Sequence, residues 1–309
     1  MRPLDGVLFF PVTPFGANTE VATGVLGEHV DRGVSAGPGG VFVACGTGEF
    51  HALEPAEYLE VVQTGVRATA GRVPVFAGVG GPVATAVAMA GAASAAGVDG
   101  LLLLPPYLVQ APQDGLVAYI EAVTAATELP VIVYHRGNSV FQPDTAARIA
   151  ALPRVIGIKD GYGDLDLMAR MITAVRPVLE ETGKPFQFFN GLPTAELTMP
   201  AYFGAGIRLY SSAVFCFAPE ISLAFYAALT TGDQATVDAL LSRFYAPFVA
   251  LRSSTPGFAV SLVKAGVRQR GLAVGGVRPP LVDPSPAQLA ELERITADGM
   301  AVVARAQGR

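Results

Sequence analysis

The chain has only three lysines, Lys159, Lys184 and Lys264, against eighteen arginines. Lys159 directly follows Val155-Ile156-Gly157-Ile158, a short apolar run of strand character. A lysine at such a place loses hydration, and desolvation favours its neutral amine. A neutral amine attacks a keto group and forms a Schiff base. The competing reading pairs Lys159 with Asp160 or a nearby carboxylate and leaves it no chemistry. Lys184, in Gly183-Lys184-Pro185, is expected to be an exposed and protonated turn residue. Lys264 falls in a helical stretch and is expected to be solvated or interfacial.

Tyr134 closes a second apolar run two residues before Arg136. A phenol there can pass protons between a bound amine and a leaving hydroxyl; it can equally be a core tyrosine with a satisfied hydroxyl. Gly46-Thr47-Gly48 offers backbone N–H groups and a hydroxyl, a combination that suits a carboxylate. It also reads as a plain strand-to-loop turn. His29, His51 and His135 show no metal-ligand spacing, so no metal is expected. Of the three, only His135 is expected near the lysine, pointing away from Tyr134's side, while His29 faces solvent or a neighbour. Cys45 and Cys216 form no CxxC and no disulfide framework, and both read as small apolar fillers.

Something must bring these residues together. Eight apolar runs recur, beginning near Val7, Gly40, Val73, Gly100, Pro130, Val155, Phe186 and Gly206. Their spacing of about 28 residues is near one βα unit. The runs do not alternate, which marks strands buried on both faces of a parallel sheet. Helical patterns cover residues 55–70, 113–126, 143–152, 164–179 and 219–230, with Pro55 suited to a first turn and Asp164 to an N-cap. The pattern predicts a (β/α)₈ barrel over 1–230 with a helical extension over 231–309, of about three helices at 234–251, 258–270 and 285–306. An open doubly wound sheet is second, but GTGEF lacks the GxGxxG spacing that fold wants. In a barrel the reacting groups stand at the C-terminal strand ends. Those ends carry Gly46-Thr47, Pro105-Pro106-Tyr107, Tyr134-His135-Arg136, Lys159-Asp160, Asn190-Gly191 and Ser211-Ser212.

Composition narrows the function classes. Hydrophobic residues make up 51% and charged residues 15% of the 309, which excludes disorder. The net charge of −5 carries no basic footprint for nucleic acid. Residues 73–98 hold no charge and are long enough to span a bilayer, yet Pro82, the Gly78–Gly81 cluster and many alanines argue for a strand, a turn and an Ala-rich buried helix. The N-terminal MRPLDGVLFFPVTPFG is too short and proline-broken in its apolar part for a secretory leader. A cytoplasmic protein with no membrane partner is expected.

The motifs FFPVTPF, GTGEF, PPY, VYHRGN and GIKDGYGD together resemble the dihydrodipicolinate synthase and N-acetylneuraminate lyase superfamily of Schiff-base barrels, across essentially the whole chain. ACGTGEF, YHRGN, NGLPTAE and YSSAVF are similar to the branch that dehydrates and decarboxylates 5-dehydro-4-deoxyglucarate. They depart from the synthase branch, which has Thr-Thr where this chain has Gly46-Thr47, and Asn-Val-Pro where it has His135-Arg136-Gly137. The resemblance implies that Lys159 forms the imine, Tyr134 relays protons and Gly46-Thr47 binds the carboxylate beside the keto group. It implies no metal and no organic cofactor, a keto-sugar diacid as small-molecule substrate, and a homo-oligomer. Arg136 is then a residue for substrate capture, and Asn190, Ser211 and Ser212 are candidates for the substrate hydroxyls or strand-end groups bonded to backbone. A pyruvate-dependent aldolase or synthase, and a non-catalytic keto-acid-binding barrel, stay open.

Overall fold

The computed structural model describes residues 4–106 and 108–308, so Tyr107 lies outside the described residues. Eight strands among them form a closed parallel barrel in chain order: β1 Val7–Phe9, β2 Gly40–Val43, β3 Val75–Val79, β4 Gly100–Leu103, β5 Val131–His135, β6 Val155–Asp160, β7 Gln187–Asn190 and β8 Leu209–Ser212. β8 returns to pair with β1, Leu8 opposite Ser211. The expected (β/α)₈ barrel is present and the open sheet is not. Alternation splits each strand between two cores. Phe10, Phe42, Phe76, Leu102 and Phe189 fill the barrel interior, with Phe10, Phe42 and Phe76 stacked at 4.5 and 4.8 Å. The opposite faces pack against the surrounding helices. Burial on both faces is why the runs never alternate with polar residues.

The helices between strands are α1 Thr23–Ser35, α2 Pro55–Thr69, α3 Val83–Ala95, α4 Gln113–Ala125, α5 Pro143–Ala151, α6 Leu165–Thr182, α7 Met199–Gly204 and α8 Pro219–Thr231. Local chemistry sets their starts. Glu54 and Glu57 form a reciprocal capping box ahead of α2, and the Asp164 carboxylate accepts from the Leu167 N–H at the start of α6. The short α7 has no clear periodic signal and was not expected. α3 is not the buried helix that its composition suggests. It buries only the stripe Ala86, Ala90 and Ala93, and Val83 is 47% exposed. Among the described residues no helix is long and apolar enough to cross a membrane.

Beyond α8 the chain forms α9 Gln234–Leu240, a π-helical turn Leu241–Tyr245, α10 Ala246–Ser253, α11 Phe258–Gln269 and α12 Pro286–Gln307. The expected helix over 234–251 is thus one run with a wide turn in its middle. α12 packs on α8 through α11. α11 is tied to the barrel rim by charge. Lys264 is fully buried, and its Nζ donates to Glu49 Oε1 at 2.7 Å, across 215 residues of sequence. The Arg278 N–H donates to Glu49 Oε2 at 2.9 Å. Lys264 is therefore not solvated: burial lowers its ammonium to about 8 even with the Glu49 carboxylate pulling upward.

Lys184 also departs from expectation. It is half-buried, and its Nζ donates to the Leu152 carbonyl at 2.6 Å and to that of Ala150. Those carbonyls end α5 and lack helical partners, which is the physical reason a lysine settles there. Burial lowers it to about 8.

Breaking a buried pair strands its partner. Lys264→Met should cost about 3–5 kcal/mol in urea unfolding, while Arg148→Ala, which breaks the exposed Arg148–Asp114 pair, should cost less than about 1 kcal/mol.

Candidate active site

Strand register assembles the site. β5 places Tyr134 beside Lys159 and His135 beside Asp160 on β6, and β7 continues the rows with Phe189 and Asn190. Alternation turns the first row into the barrel and the second outward. Lys159 is only 5% exposed, with Nζ 4.2 Å from the Phe10 ring centre and 4.4 Å from that of Tyr134. Asp160 faces away: its Oδ1 accepts from the Tyr162 N–H at 2.8 Å and its Oδ2 from the Tyr202 hydroxyl. The reading that pairs Lys159 with Asp160 is thereby removed. Among the described residues Lys159 joins no ion pair, whereas Lys264 holds Glu49. Burial pulls the Lys159 ammonium below its ordinary 10.5, and Arg136 adds to that; Tyr134 and Cys45 oppose it.

Tyr134 is held at both sides of its oxygen. Its hydroxyl donates to the Gly191 carbonyl at 2.9 Å and accepts from Arg136 Nη1 at 3.1 Å. Two glycines make room for the pair. A Cβ on Gly191 would fall 2.3 Å from Lys159 Cε, and one on Gly161 would fall 2.7 Å from Tyr134 Oη.

These groups open into a cavity of about 390 Å³, lined also by Gly46, Thr47 and Ser211. The Gly46–Thr47 turn is bracketed by Ala44 at φ 50° and Glu49 at φ 54°. Left-handed backbone costs a non-glycine residue roughly 1–2 kcal/mol, and here the Thr13 hydroxyl, donating to Gly48 O at 2.7 Å, and the Lys264–Glu49 pair hold it. Among the described residues no protein acceptor takes the Gly46 or Thr47 N–H, and the Ser211 hydroxyl has no partner. The turn thus presents free donors to the cavity.

Two expected residues do not reach it. Asn190 is fully buried on the outer face, where its Nδ2 donates to Thr198 Oγ1 at 2.8 Å and to Ala195 O at 3.1 Å. Ser212 bonds Glu196 and, at 2.9 Å, Ser222, also outside the barrel. Both follow an inward residue by one, so alternation sends them out. Burial lifts the Glu196 carboxyl behind them to about 7.

Two of the histidines also differ, while His135 points away from Tyr134's side as expected. His29 is buried edge-on to Phe9, and burial lowers it to about 4. His135 Nδ1 accepts from the Phe141 N–H at 2.9 Å, away from the cavity; His51 lines it instead. Cys45 is buried, and burial pushes its thiol up to about 12.

Arg252, on α10, also lines the cavity and was not anticipated. As one of eighteen arginines on a helix outside the barrel, it carries no signal in the sequence. No aspartate or glutamate among the described residues lines the cavity. A buried amine, a phenol held by a cation, free N–H donors and two guanidiniums without acidic partners among the described residues suit it to an anionic carbonyl compound.

The chain matches the model of the dihydrodipicolinate synthetase family over residues 3–298. A protein of Streptomyces griseus named "Probable 5-dehydro-4-deoxyglucarate dehydratase" is 55% identical over 304 residues, covering 98% of this chain and 94% of that one. A protein of Bradyrhizobium diazoefficiens with the same name is 46% identical over 93% of this chain and 90% of its own. Among solved structures, dihydrodipicolinate synthase from Oceanobacillus iheyensis superposes with a TM-score of 0.88 at 26% identity, over 96% of this chain and 97% of that one.

Gly191→Ala should fold, because the methyl meets a flexible lysine stem rather than backbone. Displacing the amine by about an ångström should slow borohydride trapping of a 2-oxo acid on Lys159 by ~10²-fold, read by intact mass against time. Wild-type trapping would show that the close approach of Gly191 has no bearing on the amine.

Proposed function

The chain belongs to the dihydrodipicolinate synthetase family, and from that premise we propose that it is a Schiff-base lyase converting 5-dehydro-4-deoxy-D-glucarate to 2,5-dioxopentanoate, water and carbon dioxide. The observation that carries the reading is a buried amine that, among the described residues, has no counter-charge, in a cavity lined by two guanidiniums without an acidic partner and by no acid. The names of the relatives support the same reaction.

Lys159 adds to the keto carbon, and loss of water gives an iminium. The carboxylate beside that carbon is an anion for the free N–H groups of Gly46 and Thr47 and the Thr47 hydroxyl. The iminium acidifies the neighbouring methylene, whose proton leaves to give an enamine. The enamine expels the hydroxyl on the next carbon as water, leaving an unsaturated iminium. Tyr134 is the proton carrier, since its ring lies 4.4 Å from Lys159 Nζ and its hydroxyl is held by the Gly191 carbonyl and Arg136 Nη1. The bond to the far carboxylate then breaks. Its electrons run along the conjugated chain into the same nitrogen, and carbon dioxide departs. Reprotonation and hydrolysis release the five-carbon product and restore the amine. One nitrogen accepts the electrons of both steps. Ser211 faces the substrate hydroxyls, and Arg136 serves capture, because a tight grip on the departing carboxylate would favour the ground state.

The reading takes the protein as a cytoplasmic homo-oligomer. Leu108 and Val109, 80% and 54% exposed, give a second copy an apolar surface to cover.

Incubation with 5-dehydro-4-deoxyglucarate should release carbon dioxide and 2,5-dioxopentanoate in equal amounts, measured by mass spectrometry. Borohydride should leave one reduced ligand on Lys159, with a rate that rises with pH through a value below the ordinary lysine 10.5, and Lys159→Arg should abolish it. Aldol products from pyruvate without carbon dioxide would replace this reading with the aldolase or synthase. Binding without turnover would replace it with the non-catalytic barrel.

Tyr134→Phe should keep the fold and slow turnover by ~10²–10⁴-fold. Near-normal turnover would return Tyr134 to a packing role.

A further inference from the structure

Arg252 enters the cavity from α10, outside the barrel. Its Nη1 donates to the Pro193 carbonyl and, at 2.9 Å, to Thr194 Oγ1, which fixes the guanidinium against the segment that follows β7. The other partly buried arginines among the described residues each hold an acid: Arg154 has Glu128, Arg268 has Asp283 and Arg278 has Glu57. Arg252 is half-buried and, among the described residues, has no acidic partner. A cation withdrawn from water without a counter-charge is costly, so the arrangement is suited to an anion that arrives from outside. Arg136 is the other unpaired guanidinium of the cavity, but its Nη1 is engaged by the Tyr134 oxygen, at the lysine end.

The chain path sets the scale between the two ends. The Gly191 carbonyl accepts from Tyr134, and the Pro193 carbonyl accepts from Arg252. Two residues span at most roughly 7 Å. An extended six-carbon chain measures about 6 Å between its end carbons, at ~1.5 Å per bond. The two backbone anchors are thus separated by a length comparable to that of such a diacid, with its keto end on Lys159.

We infer that Arg252 recognises the second carboxylate of the substrate and selects six-carbon 2-oxo diacids over the matching monoacids. This rests on the diacid reading above and assigns the residue that enforces it. With Nη1 committed to the protein, Arg252 offers only its remaining N–H groups. That grip is sufficient for selection, and it leaves the ground-state carboxylate less tightly held than a full bidentate pair would.

The test uses two ligands that form the imine and stop there: 2-oxoadipate, which lacks the hydroxyl to be expelled, and its monoacid counterpart 2-oxohexanoate. The measured quantity is the concentration giving half-maximal borohydride trapping on Lys159. The wild-type protein should trap 2-oxoadipate at ~10–100-fold lower concentration, the worth of one charge-assisted contact. In Arg252→Gln the gap should close to within ~3-fold through weaker diacid trapping, with the 2-oxohexanoate value unmoved. Arg252→Lys keeps a cation on a backbone anchor and should restore part of the gap. Arg136→Gln should weaken both ligands alike. A gap that survives Arg252→Gln, one that closes in Arg136→Gln instead, or equal weakening of both ligands in Arg252→Gln would overturn the inference. A wild-type gap without turnover of the keto-sugar diacid would defeat the proposed reaction and leave Arg252's role standing. Turnover without a gap would do the reverse.

Discussion

Lys159 Nζ lies between the faces of Phe10 and Tyr134 with no acid among the described residues paired to it, and an unpaired charge so placed is penalised by several kcal/mol. That penalty pulls its ammonium below the ordinary 10.5, and much of the barrel serves to keep it so. Asp160 follows Lys159 in the chain and would quench the effect, but β6 turns it outward, where Tyr202 and the Tyr162 and Gly163 N–H groups satisfy it. The glycine at position 191 leaves the space in which the lysine stem lies. Arg136 sits on the phenol rather than on a carboxylate, so it adds positive potential to the site.

The contrast with Lys264 shows how strongly the environment decides. Both lysines are buried and both lie against an aromatic ring, at 4.2 Å from Phe10 for one and 3.9 Å from Phe15 for the other. Lys264 has Glu49 and is a structural tie; Lys159 has no acid among the described residues. The tie matters to the site, because Glu49 occupies the left-handed position that ends the Gly46–Thr47 turn. α11 thus steadies one wall of the cavity, and α10 supplies Arg252 to another. The helices after β8 are part of the site and not a separate appendage.

Much was legible from the chain. Continuous apolar runs at βα spacing predict a parallel barrel because each strand is buried twice, and Lys159 stands out because charged groups seldom end such runs. The cap at Asp164 follows from local hydrogen bonding and needs no tertiary context. Strand parity was available as well: counting from Lys159 on β6 through the register puts Asn190 and Ser212 on the outer face, although their polarity at strand ends suggested otherwise.

Other features belong to the tertiary structure alone. Lys184 covering the end carbonyls of α5, Lys264 meeting Glu49 and Arg252 meeting Thr194 join residues 32 to 215 positions apart. No local pattern encodes such meetings, because they depend on how helices outside the barrel pack over its rim. The sequence by itself determined the barrel and the apolar runs that Lys159 and Tyr134 close, since periodicity and residue type act locally. Which charges stay paired and which are left open to a ligand was decided only by packing, since the energy of a charge depends on what the folded chain brings within a few ångströms of it.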